Sequence, residues 1–321
     1  MTPRLLLLLL ALCPLLAWAD WHSDSQDKMG TRIDVQLWHE DADTAAELLR
    51  AAMAEFDRIE AAMSTYRDSS EISRVNREAA TAPVRMSTEL FSLVLLSLEL
   101  SEITGGAFDI TYDSVGQLYD FRARRRPDAA AIAARLASIN YAYVELDEEA
   151  QTIRFLGPGV RINLGGIAKG YAVESVISLL REAGVSHALA TAGGDTRLLG
   201  DRRGKPWLVG VRDPDDESGL VTRLGLVDEA VSTSGDYERF FVEDGERYHH
   251  ILDPGTGRSA GSVRSVTIIG PDATMTDALS TSVFVLGQAG GLELIEKLDG
   301  YEAIIVDTER RVRVSAGLDS R

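Results

Sequence analysis

His187–Thr191 (HALAT), Trp207–Arg212 (WLVGVR), Val221–Val227 (VTRLGLV), Arg239–Val242 (RFFV) and Val263–Ile269 (VRSVTII) follow one another as five short apolar runs. Runs of this length, punctuated by Gly, Pro and Asp, read as strands. Helical spacing surrounds them. Asp43–Met63 carries Leu48, Leu49, Met53, Phe56, Ile59 and Met63 on one stripe, a core-facing set. Ser87–Thr104 is a second apolar helix stopped by Gly105-Gly106, and further helices are expected at Pro127–Ala137, Gly170–Ala183, Thr276–Leu286 and Leu292–Leu298. Thr276 is the expected cap of the fifth, and Gly287 its end. Other strands are expected at Met29–Leu37, Tyr141–Leu146, Thr152–Phe155 and Arg161–Leu164, with a closing hairpin of Tyr301–Val306 and Val312–Ser315. Arg122–Pro127 and Asp213–Gly219 read as surface loops. Helices and strands come in mixed order without steady βαβ alternation. That order implies an α+β fold with largely antiparallel sheets, in one large two-lobed domain over residues 20–321.

Residues 1–19 read as a cleavable signal peptide. Arg4 supplies the positive start, Leu5–Leu16 the apolar stretch, and Ala17-Trp18-Ala19 a small-x-small site before Asp20. The apolar stretch is shorter than the ~20 residues a spanning helix needs. Cys13 is the lone cysteine, and bulky Leu12 before it argues against lipid attachment. Once it leaves with the signal, the mature chain has no disulfide or thiol chemistry. The expected location is the periplasm of a Gram-negative cell, free or associated with the inner membrane. A formal net charge of −17 argues against nucleic acid and anionic membrane surfaces as partners.

Several segments carry chemistry. Asp277 and Thr281 are four apart on an expected helix and share a face, and a carboxylate with a hydroxyl suits a hard cation such as Mg²⁺ or Ca²⁺. Thr276 and Asp277 read equally as helix caps. Gly165-Gly166-Ile167-Ala168-Lys169-Gly170 opens a helix, where glycines and free N–H groups admit an anion and Lys169 adds positive charge. It is neither a Walker loop nor a dinucleotide fingerprint, and Gly193-Gly194-Asp195 is a second turn of the same kind. One of His249 and His250 suits a general base, though a histidine at a strand end is also commonly structural. Tyr66 suits stacking on a planar ring, and Gly105–Asp109 groups backbone and a carboxylate that could read a purine edge.

Taken together, Met29–Thr31, Met63–Arg67 with Ser70–Asn76, Gly105–Asp109, Gly165–Tyr171, Ala192–Asp195, Ser232–Tyr237, His249–Gly257 and Thr276–Thr281 resemble the ApbE family of FAD:protein FMN transferases, in the family's order. The resemblance implies FAD in a cleft with Mg²⁺ at its pyrophosphate. A threonine or serine hydroxyl of a target flavoprotein attacks the FMN phosphorus, and AMP leaves. It implies metal ligation by Asp277, Thr281 and the Gly166 carbonyl. FAD contacts would come from Met29, Tyr66, Ala107, Phe108, Asp109, Asn163, Lys169 and Ile251. His250 would be the base, with activity falling below about pH 6–7, near a histidine's ordinary pKa. Asn163 stands where the family often has Asp. By analogy the targets are subunits of ion-pumping redox complexes. Two other readings use the same residues: hydrolysis of FAD to FMN and AMP, and a non-catalytic periplasmic flavin-binding protein.

Overall fold

The computed structural model describes residues 20–319, so residues 1–19, read above as a signal peptide, lie outside the described residues, and Cys13 with them. Eight strands form one antiparallel sheet whose spatial order is the chain order: Asp20–Lys28, Thr31–His39, Ala188–Ala192, Asp195–Leu199, Ala230–Gly235, Val263–Gly270, Glu302–Asp307 and Val312–Val314. All else but the short closing helix Ala316–Asp319 is inserted between neighbouring strands. Residues 40–187 carry most of the helices, 200–229 and 236–262 carry hairpins, and 271–301 carry the long helix Ala273–Ile295.

The first hairpin corrects the sequence expectation. Met29 does not begin a strand; with Gly30 it forms the two-residue turn between Lys28 and Thr31, at φ of 51° and 70°. Two positive φ values match the right-handed strand twist of a tight hairpin. The preceding strand, Asp20–Lys28, was missed because its polar edge position leaves no apolar alternation to read. Beyond it, Ile33, Val35 and Leu37 alternate into the main core, against Leu49, Met53, Phe56 and Ile59 of the helix Ala42–Met63. On the opposite face, Leu198, Val231, Ile269 and Ile304 pack with Trp207, Val211 and Leu226 of the Trp207–Asp213/Asp216–Leu226 hairpin. Both faces of the sheet are covered. Strands such as Val263–Gly270 are therefore nearly continuously buried, and buried Asp195–Leu199 and Ala230–Gly235 showed no period-2 signal.

Other expectations also shift. Arg161–Leu164 is not a strand; it is irregular backbone leading into the glycine turn. Asp213–Gly219 is the tip of a hairpin, closed by the pair Asp213–Asp216 and held by Arg310 to Asp213 and Arg264 to Asp215. The helix expected at Thr276 begins a turn earlier. Asp272 is its cap, its side chain accepting from the Met275 N–H at 2.9 Å, and Thr276 is buried inside. Gly287, at φ 72°, breaks the helix as expected, and a second helical stretch continues to Ile295.

The helix Ala168–Glu182 packs against Ala273–Ile295, and one glycine permits it. A Cβ built on Gly170 would lie 2.1 Å from the Ala273 carbonyl oxygen and 2.6 Å from Asp277 Cβ. The obstacle is backbone, so the helices themselves must separate. Gly170→Ala is expected to destabilise by roughly 1–3 kcal/mol or more, the usual range for overpacking. An unchanged melting curve would refute this close approach.

Candidate active site

The helix contact sets Gly166, in the turn before the helix Ala168–Glu182, and Gly170, in its first turn, against Asp277 and Thr281, one i, i+4 pair on the other helix. The Gly170 N–H donates to Asp277 Oδ2 at 2.9 Å. A Cβ on Gly166 would lie 3.3 Å from Thr281 Oγ1 and from Phe108 Cε2, so this backbone sits directly against both side chains. Thr281 Oγ1 is 3.4 Å from Ser234 Oγ, which bonds Ser280 Oγ at 2.8 Å. Asp277 is therefore not a helix cap; it is a buried carboxylate aimed at the neighbouring helix.

Sheet register supplies the next group. Pairing of Ser232 with Asp195 places the buried Asp195 carboxylate where it accepts a hydrogen bond from Lys169 Nζ, which also lies 3.5 Å from Asp277 Oδ1. Burial works against the Lys169 charge, yet Asp195 and Asp277 hold its pKa above the ordinary value. Burial, and then the charge of Asp195, push the Asp277 carboxyl up. Two buried carboxylates share one ammonium, so a further cation at this point would favour the ionised form of both. Among the described residues, no cluster of three or more His, Cys, Asp or Glu side chains is arranged to hold a metal. The donors present are instead one carboxylate, one hydroxyl and the Gly166 backbone. Hard oxygens of this kind fit Mg²⁺, which takes its remaining ligands from water and substrate phosphate.

Asn163 links two loops of the site. Its Oδ1 accepts from the Gly165 N–H at 2.8 Å, while Nδ2 donates to Thr65 Oγ1 and to Asp113 Oδ1, each at 3.2 Å. An aspartate here would face Asp113 as a like charge. The amide ties the Ser64–Arg67 loop to the glycine turn, and Tyr66 on that loop is 89% exposed.

The remaining predicted contacts lie in varied surroundings. Ala107 is half-buried. Asp109 is buried, its carboxylate accepting from the Thr111 N–H, the Thr111 hydroxyl and the Tyr141 N–H. Those bonds engage both carboxylate oxygens with the protein itself. The Ile251 side chain belongs to the main core. Met29, in the hairpin turn, is partly buried against that core.

His249 and His250 end the small hairpin Phe240–Glu243/Glu246–His249. The two rings diverge in role. His249 Nε2 is 2.6 Å from the Ala260 carbonyl, and its ring packs edge-on to Phe284, so it is structural. His250 has a buried Nδ1 with no hydrogen-bond partner. Burial first, then the positive charge of Arg239, push its pKa down to about 3, so it stands neutral. Arg239 was missed by sequence reasoning, although it lies two residues beyond Tyr237 in a segment already singled out. Asp195 was noticed only as part of a glycine turn.

The chain matches the ApbE family over residues 29–305 and belongs to that family. It is an enzyme, a transferase. It is 34% identical over 282 residues to an FAD:protein FMN transferase of Treponema pallidum, covering 82% of this chain and 77% of that relative. To an FAD:protein FMN transferase of Klebsiella pneumoniae it is 32% identical over 299 residues, covering 92% of each. Among solved structures it resembles the ApbE protein of Thermotoga maritima, with a TM-score of 0.87 at 32% identity, over 94% of this chain and 99% of that one. It also resembles the flavin transferase ApbE from Vibrio cholerae, with a TM-score of 0.84 at 28% identity, over the same shares of each.

Proposed function

We propose that this protein is an FAD:protein FMN transferase that moves FMN from FAD to a threonine or serine hydroxyl of a target flavoprotein. The observation that carries the proposal is the convergence of Asp277, Thr281 and the Gly166 backbone beside the Lys169–Asp195 pair. FAD would lie across the glycine turn, with Tyr66, Ala107–Asp109 and Met29 as its expected contacts, joined by Asn163, Lys169 and Ile251. Asp277, Thr281 and the Gly166 carbonyl would hold Mg²⁺, which when bound neutralises diphosphate charge and eases departure of the leaving phosphate.

His250 accepts the proton of the attacking hydroxyl. That oxygen bonds to the FMN phosphorus, the P–O bond to the AMP phosphate breaks, and AMP departs with the bonding electron pair. Such transfers rest on positioning and charge more than on covalent chemistry by the protein. A neutral, unpartnered His250 supports turnover over storage, since a carrier gains nothing from a buried free ring nitrogen. With export by residues 1–19, the targets would be periplasm-facing subunits of ion-pumping redox complexes.

Incubation with FAD, Mg²⁺ and a candidate target, followed by mass spectrometry of the target, tests this. The expected result is a target heavier by FMN, together with free AMP. Free FMN with an unmodified target would mean hydrolysis by the same site, and no AMP at all would mean a carrier. The adenine half should add affinity, so FAD is expected to stabilise the protein against heat more than FMN at equal concentration. Equal stabilisation would count against the Ala107–Asp109 contact.

A further inference from the structure

The strongest candidate outside the predicted set is Arg239. Lys169 is the cation sequence reasoning chose for the phosphates, but its charge is already matched by two carboxylates inside the protein. Arg239 is different. Its guanidinium makes one hydrogen bond among the described residues, from Nη2 to the Gly30 carbonyl at 3.4 Å, and no ion pair there. Other arginines also lack a carboxylate partner; Arg239 is set apart by its place, beside His250 and against the Met29-Gly30 turn.

Its position follows from two hairpins. Phe240 pairs with His249, so Arg239 and His250 face each other one step beyond the paired strands, where the His250 N–H donates to the Arg239 carbonyl at 3.1 Å. Residues directly opposite in an antiparallel pair project to the same side. The guanidinium then crosses to the Met29-Gly30 turn, where a Cβ on Gly30 would sit 3.1 Å from Nη2. Its charge is felt at His250, at Lys169 and at the Tyr112 hydroxyl. Arg239 thus borders the space between the base and the Lys169–Asp277 network, and its remaining donors make no hydrogen bond among the described residues.

We propose that Arg239 supplies the uncompensated positive charge that binds the diphosphate of FAD, with Lys169 acting to hold Asp195 and Asp277 in place. This rests on the flavin-transfer reading. A planar guanidinium is suited to two phosphate oxygens at once, which a lysine ammonium is not.

The test measures binding of FAD and of riboflavin, which has no phosphate, to wild type, Arg239→Gln and Arg239→Lys in Mg²⁺ without any target protein. Flavin fluorescence at two salt concentrations is the readout. Arg239→Gln is expected to weaken FAD binding roughly ten- to a hundredfold, the loss typical of a charged hydrogen bond, and to flatten its salt dependence. Riboflavin binding should stay unchanged, and Arg239→Lys should recover part of the FAD affinity. Unchanged FAD affinity in Arg239→Gln overturns the proposal. So does an equal weakening of FAD and riboflavin, which would mean ring contact or structural damage. A wild-type protein that binds neither flavin refutes the flavin reading itself, a separate outcome.

Discussion

Asp277→Asn is expected to leave the metal-free protein as stable as wild type or more so, while lowering FMN transfer at least about a hundredfold, as loss of a key electrostatic group does. The two effects have one cause. Burial and the neighbouring Asp195 raise the Asp277 carboxyl above its ordinary value. A carboxyl raised in this way disfavours the fold at every pH above its unfolded pKa, because ionising it costs more inside than outside. Asparagine removes that cost at neutral pH. Its amide oxygen can still accept from the Gly170 N–H, and Lys169 keeps Asp195 as its partner. What asparagine cannot supply is the anionic ligand for Mg²⁺. EDTA should mimic the substitution in the wild type, with activity restored by Mg²⁺, whereas adding Mg²⁺ to Asp277→Asn should not rescue it. Melting curves with and without Mg²⁺, beside transfer assays, decide the matter. Full transfer in EDTA would end the metal assignment, and a large drop in metal-free stability would show that Asp277 is structural.

His250→Ala is expected to slow transfer by about 10²–10⁴, the usual size of general-base catalysis, with little change in FAD affinity. The pH dependence is the sharper test. An ordinary histidine would lose half its basic form near pH 6.5. His250 is held neutral by burial and by Arg239, its pKa down at about 3. The fall in rate expected from sequence below about pH 6–7 is therefore displaced to lower pH, and the profile of kcat/KM should stay flat for this group from pH 8 to about 5. An acid limb centred near 6.5 that disappears in His250→Ala would show a histidine freely charging, contrary to this geometry. His249→Ala provides the contrast: losing the bond to the Ala260 carbonyl and the packing on Phe284 should cost roughly 1–3 kcal/mol of stability and little rate. A His250→Ala enzyme that modifies its target at the wild-type rate removes the base assignment.

Local patterns were legible wherever the physics was local. The 3.6-residue stripe of Asp43–Met63 survives as the helix Ala42–Met63, displaced by one residue at its start. The spacing of Asp277 and Thr281 implied one face because a helix makes it so, whatever packs against it. Caps and boundaries were less legible. Thr276 and Asp272 both suit an N-cap by type, and the choice between them was made by packing, which buries Thr276 against Ser232.

The mixed order of helical and strand-like runs by itself determined an α+β fold, the positions of most helices, and the motif order that marks the ApbE family. Only the tertiary structure decided which charges are free. Lys169 and Asp195 are 26 residues apart, and Arg239 and Gly30 are 209 apart. Contacts across such separations depend on strand register and helix packing, and neither has a local signature. The polar edge strand Asp20–Lys28 and the doubly covered strand Asp195–Leu199 were hidden for a related reason. Alternation of residue type appears only where one face carries apolar side chains into the core and the other meets water; Asp195–Leu199 is buried throughout, and Asp20–Lys28 alternates half-buried with exposed positions but is polar at nearly all of them.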